Sequence, residues 1–204
     1  GAENVAVGAN SLDANTTASY NVAMGNNALG ANTTGASNTA FGRSALTNNT
    51  TASENTAVGE QCLSANTTGS GNCGLGRQAL NNNTTASNNT GMGLYALYAN
   101  STGSYNSAFG SRALLANTTG QYNTAVGNDS LDSNTTGSYN TATGRASLAT
   151  NTTGTFNAAS GYVALLNVTT GNRNCGFGAY AGSNFTTGNN NTAIGEEALA
   201  SATT

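Results

Sequence analysis

The chain has no lysine, histidine, proline or tryptophan, and only five arginines and eight acids among its 204 residues. Without histidine, neither a Ser-His nor a Cys-His nucleophile system can be built. With a net charge of −3 there is no basic patch to neutralise phosphates, so nucleic acid is not an expected partner. No apolar run approaches the roughly 20 residues of a membrane span. No signal peptide opens the chain, so a secreted form would take its signal from upstream. Charged residues make up 6% of the sequence, against roughly 25% in ordinary soluble domains. Disorder is not implied, because disordered chains are usually charged, and here the few apolar residues recur regularly.

The charged residues do not form a recognisable catalytic or metal-binding pattern. Glu3, Asp13, Glu54, Glu60, Asp129, Asp132, Glu196 and Glu197 occupy scattered places, and Asp129 and Asp132 read as two solvated loop acids. The Gly-Gly-x-Gly-x-Asp calcium repeat is absent. Stretches such as Gly74-Leu75-Gly76 belong to a longer repeat and do not mark a phosphate loop. Neither an enzyme, a metal site nor a cofactor is expected, apart from covalent N-glycans considered below.

What is present is a strict 17-residue repeat, found twelve times without insertion. Its position 1 is Asn in every copy, from Asn4 to Asn191. Position 5 is always Gly, from Gly8 to Gly195, and position 14 always Thr, from Thr17 to Thr204. The consensus is N-T-A-(V/F/M)-G-x-x-A-L-x-(A/N)-N-T-T-G-S-Y. Residues 1–204 form one array cut mid-unit at both ends, without polar caps, which reads as a segment of a longer fibre.

Helical repeats run above about 30 residues, and glycine in every unit opposes a helix. The expected fold is therefore all-β, a parallel β-solenoid or β-roll of twelve coils, with glycines at the bends and Asn-Thr-Thr-Gly as turn chemistry. Coils stacked at about 4.8 Å would give a rod of roughly 58 Å. Position 9 is Leu in eleven copies and Gly182 in the other. Together with the bulky position 4 (Val7, Met24, Phe41, Val58), it is read as filling a narrow interior. The small residues at positions 3 and 8 would lie where the walls approach. The aromatics at position 17 (Tyr20, Tyr105, Tyr122, Tyr139, Phe156) fit either the core or an outward stack. Asn at position 1 would form an amide ladder. So few large apolar side chains per coil lead us to expect lateral partners: self-association into a fibre or a homotrimer, or a glycan coat.

The segment Asn-Thr-Ala-Val-Gly, at 55–59 and 123–127, resembles the Asn-Ser-x-Ala-Ile-Gly core of trimeric autotransporter adhesin heads. Units with Ala-Leu and Asn-Thr-Thr-Gly, as in 25–42, are similar to repeats of phage and algal-virus fibre proteins. The resemblance covers all twelve units on about five positions. It implies a left-handed parallel β-roll, often trimeric, on a cell or virion surface. The unit here is longer, with Asn-Thr-Thr-Gly added.

Asn-Thr-Thr is also an N-glycosylation acceptor. It places candidate sites at Asn15, Asn32, Asn49, Asn66, Asn83, Asn117, Asn134 and Asn151, with Asn100 in Asn-Ser-Thr. In units ten and eleven position 12 becomes Val168 and Phe185, and Asn167 and Asn184 one place earlier retain an acceptor. Two readings stay open: a glycan-bearing ladder, or a turn whose threonines stack. Ice binding is a third functional class, disfavoured because the adjacent Thr pair cannot both face outward on one strand. Cys62, Cys73 and Cys175 read as packing residues. Cys73 and Cys175 would lie roughly 29 Å apart along the rod and cannot bond within one chain, whereas Cys62 and Cys73 are on neighbouring coils. The expected role is a structural subunit of an extracellular fibre, with an adhesin head or viral fibre shaft as the alternative.

Overall fold

The computed structural model describes residues 1–203; Thr204, the last of the position-14 threonines, lies outside the described residues. Each unit contributes one three-residue strand at positions 2 to 4, from β1 (Val5–Val7) to β12 (Thr192–Ile194). All twelve strands form one parallel sheet in sequence order. Every pairing is offset by one repeat, as in Val22↔Thr39 and Thr124↔Thr141. The protein is a parallel β-solenoid. Among the described residues, no helix is long and apolar enough to cross a membrane.

The coil closes because the backbone turns at fixed places. Gly at position 5 follows the strand with φ near 130°, for example 131° at Gly59 and 137° at Gly76. A Cβ on Gly76 would lie 2.5 Å from the carbonyl oxygen of Gly93 in the next coil. Both conformation and close approach therefore require glycine. Positions 7, 9 and 17 are left-handed although mostly not glycine: Asn27 at φ 57°, Leu29 at 50° and Tyr105 at 62°. These reversals aim successive N–H groups along the rod. The Asn27 N–H donates to Ala9 in the coil before (3.0 Å), and that of Leu29 to Ala45 in the coil after (3.0 Å). Those of Ala31 (3.0 Å) and Thr33 (2.9 Å) also donate to the coil after. Axial hydrogen bonding thus runs around most of the coil, beyond the three-residue strands.

The magnitudes show what holds a coil. A left-handed non-glycine residue costs about 1–2 kcal/mol. Burying its leucine side chain gives back about 1.5–3 kcal/mol, so position 9 roughly breaks even or gains modestly. The axial hydrogen bonds, each about 0.5–1.5 kcal/mol net, are numerous enough to decide the balance.

The interior differs from the sequence expectation at position 4. Strand residues alternate sides, and the small position 3 points in: Ala23, Ala57 and Ala125 are fully buried. Position 4 points out, leaving Phe41 52%, Leu75 48% and Phe177 51% exposed. The core is Leu at position 9 with Ala at positions 3 and 8, and the rod is too narrow for a second large side chain. Cys62 takes an alanine's place at position 8, and its sulfur fills the space left by Gly74, where a Cβ would lie 2.3 Å from Sγ. Unit eleven exchanges the same kind of volume. Phe185 replaces the position-12 Asn and is buried, and Gly182 replaces the leucine. A Cβ on Gly182 would meet the Phe185 ring at 2.7 Å.

Two stability predictions follow from these contacts. Gly76→Ala should destabilise by about 3 kcal/mol or more, since clash and strain add, read as a fall in thermal midpoint. In a double-mutant cycle, Gly182→Leu overpacks and Phe185→Asn leaves a cavity, each costing about 2–4 kcal/mol. The double variant should recover most of that loss; additive losses would show that the two sites are not exchanging volume.

Candidate functional surface

Eight of the eleven acceptor asparagines lie inside the rod. Asn32, Asn49, Asn66, Asn83, Asn100, Asn117, Asn134 and Asn151 are fully buried. Each Nδ2 has both hydrogens engaged. Asn49 donates one to Asn32 Oδ1 in the coil before (2.9 Å) and one to the Ala52 carbonyl (2.9 Å). The position-1 asparagines form a second ladder. Asn38 donates its backbone N–H to Asn21 Oδ1 (2.9 Å) and its Nδ2 to the same Ala52 carbonyl (2.8 Å). One carbonyl at position 15 thus receives both amides and ties the start of the coil to its far side. Aspartate could not substitute, because it lacks the N–H donors and would stack like charges.

A glycan replaces one Nδ2 hydrogen and needs a path to solvent. Neither is available at those eight asparagines, so the glycan-ladder reading is corrected there: they are structural core amides. Asn15, in the first coil, is half-buried and donates to the Ala18 carbonyl at 3.2 Å. The position-12 ladder ends at Asn151, whose Oδ1 is buried without a partner because Val168 has no side-chain N–H. Asn167 and Asn184 lie outside this slot, half-buried and exposed respectively, with the Asn167 Nδ2 donating to Asn184 Oδ1 at 3.1 Å.

The outer surface is built of parallel ladders. Thr at position 13 is half-buried, and its hydroxyl donates to the carbonyl of its counterpart one coil on, as from Thr33 to Thr50 (3.0 Å). Thr at position 14, such as Thr34 and Thr51, is exposed, so the adjacent pair does face different ways. Ser at position 16 accepts from a backbone N–H, as Ser53 Oγ does from Ala36 (3.0 Å). Position 17 resolves outward: Tyr105, Tyr122, Tyr139 and Phe156 stack with centroids 5.0, 5.0 and 4.9 Å apart. Arg173 lies over the Phe156 ring at 5.7 Å.

Charges gather beyond the glycine bend. Arg43, Glu60 and Arg77 alternate in sign on successive coils and pair. Arg112 pairs with Asp129 (3.1 Å) and Asp132 (3.2 Å). Both acids are therefore ion-paired, not merely solvated. These exposed pairs contribute little stability each. An open hollow of about 430 Å³ lies beside Tyr95, Tyr98, Leu115 and Arg112. Its one charged group is already engaged by those acids. Among the described residues, no three His, Cys, Asp or Glu side chains group to hold a metal.

The three cysteines are free thiols. Cys73 and Cys175 point out at position 2 and are half-buried, whereas Cys62 is buried and its thiol is pushed from 9.0 up to about 12, chiefly by loss of solvation. The folded state therefore holds the Cys62 proton after the unfolded chain has released it, and this site's contribution to stability falls as pH rises from 9.0 towards about 12. Iodoacetamide at pH 8 should label Cys73 and Cys175 readily and Cys62 only on unfolding, read by peptide mass; equal labelling of all three would contradict the burial.

Comparison with protein-family models, curated proteins and solved structures returned no match, so the ladders themselves are the basis for a functional reading.

Proposed function

We propose that the chain is a structural shaft: a rigid, repetitive rod within an extracellular fibre or filament, or on a cell or virion surface. The observation that carries this reading is the unbroken register of eleven successive strand pairings, each offset by one repeat. Two internal asparagine ladders and axial backbone hydrogen bonds accompany that register. Such a molecule transmits length and stiffness, and each coil adds an equal increment. Glycans are not required by this reading. Asn167 and Asn184 are the acceptors beside the core slot that stand clear of it, and sugars there would decorate the rod.

A second reading, an adhesin or viral fibre shaft touching a host surface, draws on the exposed stack from Tyr105 to Phe156. Ice binding has less support, because the position-13 hydroxyls are spent on carbonyls one coil away.

Deletion of one unit tests the shaft. Removing residues 89–105 joins Asn88 to Asn106 in phase. The shortened protein should fold with a thermal midpoint within a few degrees of the parent. Its length by small-angle scattering should fall by about 4.8 Å. A particle that is not elongated, or one that unfolds when a single unit is removed, would refute the proposal.

A further inference from the structure

The outward sheet face has a composition that a solitary shaft does not require. Positions 2 and 4 carry no charged residue in any of the twelve coils. Among the described residues, thirteen of the seventeen exposed large apolar side chains lie at positions 2, 4 and 17. Apart from Glu3, Glu54 and Arg173, every charge is at position 6, 7 or 10. The exposed apolar side chains therefore gather on one side of the rod, in a strip interrupted at position 4 by Thr143 and Ser160.

We propose that this strip is the contact through which a second copy of the chain packs, sheet against sheet, in an isologous pair. The pairing rests on the shaft reading, since it needs the straight, regular face.

Three physical features select a second copy as the occupant. The first is size. Five residues across and twelve coils along give a face of roughly 17 by 58 Å, or roughly 1,000 Å² per copy. A stable interface needs about 800 Å² per partner. The second is period. Side chains on the face recur at about 4.8 Å, and a surface of the same period meshes along the whole length, whereas a non-periodic partner matches at a few rungs. The third is charge. An isologous contact sets a patch against itself, so a charge near its centre meets its own kind, which is costly. The absence of charge from positions 2 and 4 meets that condition; Glu3, Glu54 and Arg173 lie at position 17, on the edge of the face, and the remaining charges lie beyond the glycine bend. One apolar face per chain gives a pair; a closed trimer would need two.

Sedimentation velocity over about 1–100 µM, the range where contacts of this size associate, tests the pairing. The parent should populate a dimer. Phe109→Lys combined with Thr143→Lys, on exposed positions of non-adjacent coils, should raise the midpoint concentration at least about tenfold. Asn128→Lys, exposed at position 6, should leave it unchanged. Phe109→Thr with Phe177→Thr gives an uncharged second test, since position 4 already holds Thr143; it should weaken the dimer in the same direction. A monomer throughout, a trimer, or a dimer indifferent to both face variants would overturn the proposal. Scattering on the same samples separates the two readings: an elongated monomer refutes pairing alone, and a compact particle refutes the shaft as well.

Discussion

The structure depends on one constraint: the amides buried inside a narrow rod must be satisfied by one another and by the backbone. In a typical coil, Asn106 and Asn117 both donate to the Gly120 carbonyl, at 2.8 and 3.0 Å. Their remaining hydrogens reach back to Asn89 and Asn100 in the coil before. This arrangement sets the positions of the two asparagines within the unit. It also forbids a one-residue slip, because each coil's donors would then miss both the carbonyl and the neighbouring amide. Buried polar groups that are fully paired specify structure, and a broken network is costly.

The constraint also explains how the array changes. Where Val168 interrupts the position-12 ladder, Asn151 Oδ1 loses its donor. Above it, Phe185 fills the slot, and the leucine opposite gives way to Gly182. The slot thus passes from polar to apolar over consecutive coils, leaving one orphaned acceptor at the junction. The position-1 ladder continues through the same coils, with Asn174 donating to Asn157. Backbone register therefore survives the change.

Much of the fold was legible in the sequence, because an exact period with glycine in every unit leaves few architectures. The sidedness of two positions does not follow from mean hydropathy, although the residues carry the signal. Position 3 is only Ala or Gly, whereas position 4 ranges from Val and Phe to Thr143 and Ser160. That tolerance marks a solvent-facing site, but its average hydropathy suggested the core. Position 12 is Asn in nine units and otherwise Val168, Phe185 or Ala202. Replacement of Asn by apolar residues is the mark of a buried slot, whereas the acceptor that persists beside it points to the outer surface. The left-handed leucines could not be read from composition, since nothing in a leucine signals positive φ.

The separation of inside from outside has a functional consequence. Interior positions 1, 3, 5, 9 and 12 are held almost fixed by hydrogen bonding, close approach and volume. Positions 2, 4, 6, 7, 10 and 17 are limited mainly by their neighbours one coil away, about 4.8 Å distant. At that spacing like charges repel, which the Arg43, Glu60 and Arg77 alternation avoids, while aromatic rings stack, as from Tyr105 to Phe156. The outer surface can therefore vary in chemistry without disturbing the rod, provided each ladder stays compatible with itself. The apolar strip at position 4 satisfies that rule too. Its persistence over ten of the twelve coils is not demanded by the interior, and that is the physical ground for assigning it to contact with another surface.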